Sequence, residues 1–171
     1  MARVTDFRLH AFQLGRVESA GKFLGRSAYW KLYVIENAVR VLIHSVLSAQ
    51  LGSNWWATAV DTNIKSKAQR FRQAYLQRPW HTDPGSHDIY LIFLSDLNEI
   101  VRANSNQFLP SIPDIDQWVA KIEQVRIPRN VVGHMNFLQK IDRDRIDVLY
   151  SDILALIAKV KADGKLTLAI P

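Results

Sequence analysis

Between Ala28 and Leu51 the apolar residues Leu32, Ile35, Val39, Leu42, Ile43, Val46 and Leu47 recur at spacings of three and four. That period puts them on one face of an α-helix, and so wide an apolar face has to be buried against other helices. It returns near the end of the chain in Ile146, Leu149, Tyr150, Ile153, Leu156, Ile157 and Val160. Alternation of period two is absent except, weakly, over Lys165 to Ile170. These patterns predict an all-α chain, and the short connections predict an up-and-down bundle of about five to six helices.

Further helices are read between these two. Ile64, Ala68, Phe71 and Tyr75 form a stripe predicted to be buried on a helix over Thr62 to Leu76, with Lys65, Lys67, Arg70 and Arg72 on its outer side. Tyr90, Leu91, Phe93, Leu94, Leu97, Ile100 and Val101 predict one buried helix over Asp88 to Asn104. Asp114 followed three residues later by Gln117 has the form of an N-cap, opening a short helix through Trp118 to about Val125. Pro128 suits the first turn of a separate helix carrying Arg129 to Leu138. Asp142 or Asp144 opens the last helix, and Gly164 ends it, as Gly52 ends the first. The adjacent Trp55 and Trp56 read as a plug over the end of the first long helix. One domain results: a possible helix or arm over 1–27, a core over 28–162 and a tail over 163–171.

The chain has 171 residues, 48% of them hydrophobic and 22% charged, enough to build one core and too apolar for disorder. With no Cys it has neither disulfides nor thiolate chemistry, and zinc would need His and carboxylates alone. His81, Asp83, His87 and Asp88 fall in a turn with no recognised ligand spacing, so no metal and no cofactor are expected. The N-terminus carries early charges and lacks the apolar run of a secretory signal, and no uninterrupted apolar run approaches the roughly 20 residues that span a bilayer. A cytoplasmic protein with no membrane partner is the expectation. Charge is uneven: residues 1–80 hold 12 basic and 4 acidic side chains, residues 81–171 hold 10 and 12. A basic first half suits a polyanionic partner, and Lys65, Lys67, Arg70 and Arg72 form a stripe able to track an RNA backbone.

The densest chemistry lies in Arg126-Ile-Pro-Arg-Asn-Val-Val-Gly-His134. On a helix Asn130 and His134 share a face, and the long stem of Arg129 reaches the same place. If Pro128 starts that helix, the free N–H groups of its first turn join the Arg129 guanidinium in an anion site suited to phosphate. His134, one turn along, can then exchange protons with a bound phosphodiester.

Arg129-Asn130-Val131-Val132-Gly133-His134 resembles the signature of the HEPN superfamily, an Arg followed by four to six residues and a His. With 13 Arg and 5 His in the chain, that spacing arises roughly once by chance. An Asn directly after the Arg, with a His four residues later, lowers the expectation to about 0.02, and among the 8 Asn of the chain only Asn130 meets it. The resemblance runs from about Tyr29 to Ile157 and includes the helix Leu32 to Arg40, with Glu36 and Arg40 one turn apart.

The resemblance implies a metal-independent endoribonuclease, of the kind found in toxin–antitoxin pairs and antiviral defence. A ribose 2′-OH would attack the adjacent phosphate, leaving 2′,3′-cyclic phosphate and 5′-OH ends. His134 would move the proton, Arg129 would hold the charge on phosphorus, and Asn130 would orient one or the other, with Glu36 holding the Arg. It further implies RNA as substrate, a homodimer with the motif at its interface, and an antitoxin as a possible protein partner. Two alternatives stand beside it. In one the domain binds RNA, a nucleotide or a protein without catalysis; in the other Arg129 pairs with Glu36, Asp96 or Glu123 while His134 is a packed core residue.

Overall fold

The computed structural model describes residues 4–171, so the first three residues of the expected arm lie outside it. The fold is an all-α bundle with no strand among the described residues. Its helices are α1 (Leu14–Leu24), α2 (Trp30–Leu51), α3 (Trp55–Ala59), α4 (Thr62–Leu76), α5 (Leu94–Ala103), α6 (Ser105–Phe108), α7 (Ile115–Gly133) and α8 (Lys140–Asp163).

The central element is α2, packed against α5 and α8, while α7 packs against α5 and α8 from the other side. Ile35, Ile43, Leu47, Leu97 and Ile146 are fully buried where these helices meet. The stripe read from the sequence in α2 is this core. The bounds of α4 are those the spacing predicts, and Gly52 and Gly164 stand at the ends of α2 and α8.

Three expectations are corrected. First, the helix expected from Ala28 begins at Leu14: α1 passes through a π turn at Gly25–Tyr29 directly into α2. This 38-residue run, Leu14–Leu51, is long and apolar enough by length and composition to cross a membrane, although half of its apolar window is buried inside the bundle, as a core helix would be.

Second, the helix expected over Asp88 to Asn104 is broken into a 3₁₀ turn, Asp88–Leu91, and α5. The cause is Arg40, buried in the middle of α2, which donates to the carbonyls of Ile89 (3.2 Å) and Ile92 (3.1 Å). A buried guanidinium needs acceptors, and a break in the neighbouring helix supplies two. Asp96 then accepts from the N–H of Phe93 (2.9 Å) and starts the helix again.

Third, the helix entered near Asp114 runs on to Gly133, with Pro128 inside it. Proline removes one rung of the hydrogen-bond ladder and ordinarily costs about 3 kcal/mol in a helix interior. Here Trp118, Ile122, Val125, Pro128 and Val132 form one buried stripe, and the ring of Pro128 is part of it. The expected helix start at Pro128 is therefore absent. Residues Asn136 to Gln139 are a loop, and α8 starts at Lys140, before Asp142.

Residues 165–170 form no strand, in keeping with the all-α reading and its C-terminal tail. Leu166 is buried, and the N–H of Ala169 donates to Ser45 Oγ on α2 (2.8 Å). Just past the same, C-terminal end of α2, Trp55 is fully buried, donates to His44 Nδ1 (3.2 Å) and stacks on His87 at 5.3 Å. The paired indoles thus cap the core, with Trp56 packed against its edge.

Candidate functional site

Glu36 and Arg40 lie one turn apart on α2, and Arg129 comes to them from the last turns of α7, 93 residues later in the chain. Arg40 Nη2 donates to Glu36 Oε1 (2.6 Å), Arg129 Nε donates to Oε2 (3.0 Å), and Arg129 Nη2 lies 3.5 Å from Oε1. One carboxylate therefore serves two guanidiniums. The group carries one net positive charge in a half-buried place, where screening is weaker than at the surface.

The two arginines are not equivalent. Arg40 commits four of its five N–H donors, to the Ile89 and Ile92 carbonyls, Glu36 and Asn37 Oδ1 (3.2 Å), so that each of its nitrogens has a partner. Arg129 is held along one edge by Glu36 and packs over the Phe93 ring at 5.2 Å, while its Nη1 has no hydrogen-bond partner among the described residues. Next to Nη1 is Gly133; a Cβ there would stand 3.4 Å from it. The missing side chain leaves this nitrogen uncovered.

Arg129 faces an open cleft of about 380 Å³, lined by Tyr29, Tyr33, Glu36, Asn37, Arg40, Pro84, Tyr90 and Gly133 among others. That volume is in the range of small-molecule sites, about 300 to 1,000 Å³. A second recess of about 220 Å³ shares Glu36, Arg40, Pro84, Tyr90 and Arg129 and adds Phe71, Tyr75 and Phe93. Between the two, Tyr90 packs on the backbone of Gly85, whose φ is +129° and where a Cβ would come within 2.8 Å of the ring. No residue but glycine fits that position without displacing Tyr90.

The sequence placed Arg129, Asn130 and His134 in one site. Arg129 is in the cleft and bound to Glu36, a pairing named both by the motif reading and by its non-functional alternative. Asn130 and His134 are exposed, do not line the cleft and make no side-chain hydrogen bond among the described residues. His134 is not a packed core histidine. It stands at the C-terminal end of α7, where its N–H bonds to the Asn130 carbonyl (2.9 Å), the Met135 N–H to Val132 (2.9 Å) and the Asn136 N–H to Val131 (2.9 Å). With Met135 at φ 58° this is a Schellman cap with methionine in the position usually held by glycine. The anion site expected from free N–H groups at Pro128 is consequently absent: the motif occupies a helix C-terminus, which presents carbonyls. The positive charge comes from side chains alone. Arg8 reaches this turn from the N-terminal segment, donating to Asn136 Oδ1 (3.1 Å).

The expected basic stripe on α4 is largely committed elsewhere. Lys67 is paired with Asp96 (2.7 Å), Arg72 with Asp88 (3.1 Å) and the Gly85 carbonyl (2.6 Å), and Lys65 donates to the Ala57 carbonyl (2.9 Å). Arg70 alone of the four projects without a hydrogen-bond partner among the described residues. His81, Asp83, His87 and Asp88 do not converge, since Arg72 takes both carboxylates and His87 stacks on Trp55. Among the described residues no cluster of three or more His, Asp and Glu is placed to hold a metal.

Sequence reasoning did not single out Tyr29 or Tyr33, and it placed Phe71, Tyr75 and Tyr90 in the core. Phe71 and Tyr75 are 38% and 41% exposed. The available signal was two aromatic pairs at i,i+4, each on a helix with charged residues nearby. Comparison of the chain with protein-family models, with curated proteins and with solved structures gives no match.

Proposed function

We propose that this protein is a HEPN-type endoribonuclease that works without a metal. The observation that carries the reading is Arg129: fixed on one edge by Glu36, with Nη1 open to a cleft of net positive charge, and followed on the same helix end by an exposed imidazole. In this reading Arg129 binds a phosphate of RNA and stabilises the charge that gathers on its oxygens during attack. His134 takes the proton of the ribose 2′-OH, the 2′-oxygen bonds to phosphorus, and the 5′-oxygen leaves with a proton. The products are a 2′,3′-cyclic phosphate and a 5′-OH.

One imidazole cannot remove one proton and deliver another in the same step. A second copy related by a two-fold axis supplies the missing acid, because a patch near such an axis meets its own image. His134 and Asn130 lie outside the cleft of the single chain, and a homodimer with both motifs at the interface completes the site. The protein then acts in the cytoplasm, as a toxin restrained by an antitoxin or as a defence effector.

The test is incubation of the purified protein with RNA in EDTA, followed by analysis of the ends. Cleavage with cyclic-phosphate and 5′-OH ends is expected, with loss of about 100-fold or more in Arg129→Ala and His134→Ala while both remain folded. RNA carrying 2′-deoxy at the scissile position is spared. The exposure of Asn130 and His134 also favours a second reading, a non-catalytic module that binds RNA. Binding without cleavage by the wild-type dimer on several RNAs selects it.

A further inference from the structure

The charged centre is shared by two cavities, each with aromatic side chains in its lining. In the larger cleft Tyr29 closes the π turn and Tyr33 follows one turn later on α2; they are 58% and 63% exposed. In the smaller recess stand Phe71 and Tyr75 of α4, also one turn apart. Pro84, Tyr90 and Arg129 border both cavities. Exposed tyrosines spaced one turn apart gain little for the fold, since their rings remain in water. They offer π faces beside an uncovered guanidinium.

We propose that the two cavities are base-binding subsites for the nucleosides on either side of one phosphate, which Arg129 holds between them, so that the ligand is single-stranded RNA with two adjacent bases splayed apart. This rests on the reading of the cleft as an RNA site and extends it to the form of the substrate. Three features carry it. The positive charge is a single excess charge, matching one phosphate rather than a backbone tract. The neighbouring basic residues Lys67 and Arg72 are taken by Asp96 and Asp88, which leaves stacking as the means of further affinity. The two aromatic pairs also line separate cavities that share Glu36, Arg40 and Arg129, and unstacked bases are the form in which single-stranded RNA is read by aromatic side chains. A duplex keeps its bases stacked and cannot fill both cavities. Splaying also frees the ribose between the bases to turn its 2′-oxygen in line with the leaving 5′-oxygen.

Binding is measured by fluorescence anisotropy with a labelled 2′-O-methyl RNA 8-mer, which cannot be cleaved, and with the same sequence in a duplex. The single strand is expected to bind more tightly than the duplex. Tyr33→Ala and Tyr75→Ala are each expected to weaken single-strand binding between about 5- and 150-fold, the range for loss of one stacked base, and to leave duplex binding unchanged. Tyr33→Phe is expected to restore it. Circular dichroism checks that the variants are folded; both replaced side chains are exposed, so folding is not at stake. Equal binding of single strand and duplex, or wild-type affinity in both alanine variants, overturns the proposal. Tight, stacking-dependent binding by a protein that cleaves no RNA overturns the nuclease reading and leaves this one standing.

Discussion

Gly133 ends α7 beside Arg129 Nη1, which has no hydrogen-bond partner among the described residues, and here stability and function pull apart. Its backbone is not in the left-handed region, and a methyl group would meet Arg129 Nη1 at 3.4 Å, a contact and not a clash. Gly133→Ala is therefore expected to raise stability by about 0.5–1 kcal/mol through helix propensity, seen as a higher Tm. The same methyl group covers Nη1, so affinity for RNA should fall in the variant that melts later. A variant that gains stability with unchanged RNA affinity would place the phosphate away from Nη1. That Arg129 pairs with a carboxylate was legible, but Glu36, Asp96 and Glu123 all offered one, and packing selected Glu36. The positions of Asn130 and His134 relative to the cleft were not legible, because they follow from where α7 ends.

At the level of elements, the junction of α2, the 3₁₀ turn and α5 depends on one buried cation. Arg40 satisfies the carbonyls of Ile89 and Ile92, which the break in the helix would otherwise leave unpaired, and shares Glu36 with Arg129. Arg40→Leu strands two carbonyls and removes one of the two cations from a carboxylate that is itself largely buried. The expected loss is about 3–5 kcal/mol, measured by urea unfolding. A loss under about 1 kcal/mol would mean that the carbonyls are solvated through the cleft. This junction also explains an error of sequence reading. Tyr90 to Val101 has helical periodicity throughout, and nothing local marks the interruption. The interruption answers a residue on another helix. Pro128 gives the reverse case: a strong local stop signal is overridden because its ring continues the stripe from Trp118 to Val132.

For the whole molecule, the indole and imidazole cluster at the end of α2 ties stability to pH. Burial lowers the pKa of both His44 and His87, and their mutual proximity lowers His87 further. Both rings also accept a hydrogen bond on Nδ1, from Trp55 Nε1 and from the Ile89 N–H, and so act in their neutral forms. A histidine whose folded pKa is depressed binds fewer protons folded than unfolded. Its contribution is complete above the unfolded value of about 6.5 and is lost as pH falls below it toward the folded pKa. Stability should therefore decline from pH 7.5 to 5.5 in urea titrations, and His87→Phe, which keeps a ring against Trp55, should flatten that decline. An unchanged slope in the variant would assign it to other groups. From the sequence alone came what local periodicity encodes: an all-helical chain, the bounds of α4, the buried face of α2, and an Arg, an Asn and a His at neighbouring positions. Tertiary packing decided the rest, namely the helix through Pro128, the break before α5, the pairing of Glu36 with Arg129 and the aromatic walls around them. Those features depend on which distant groups must share one buried charge, and the spacing of residues along a single helix carries no record of that.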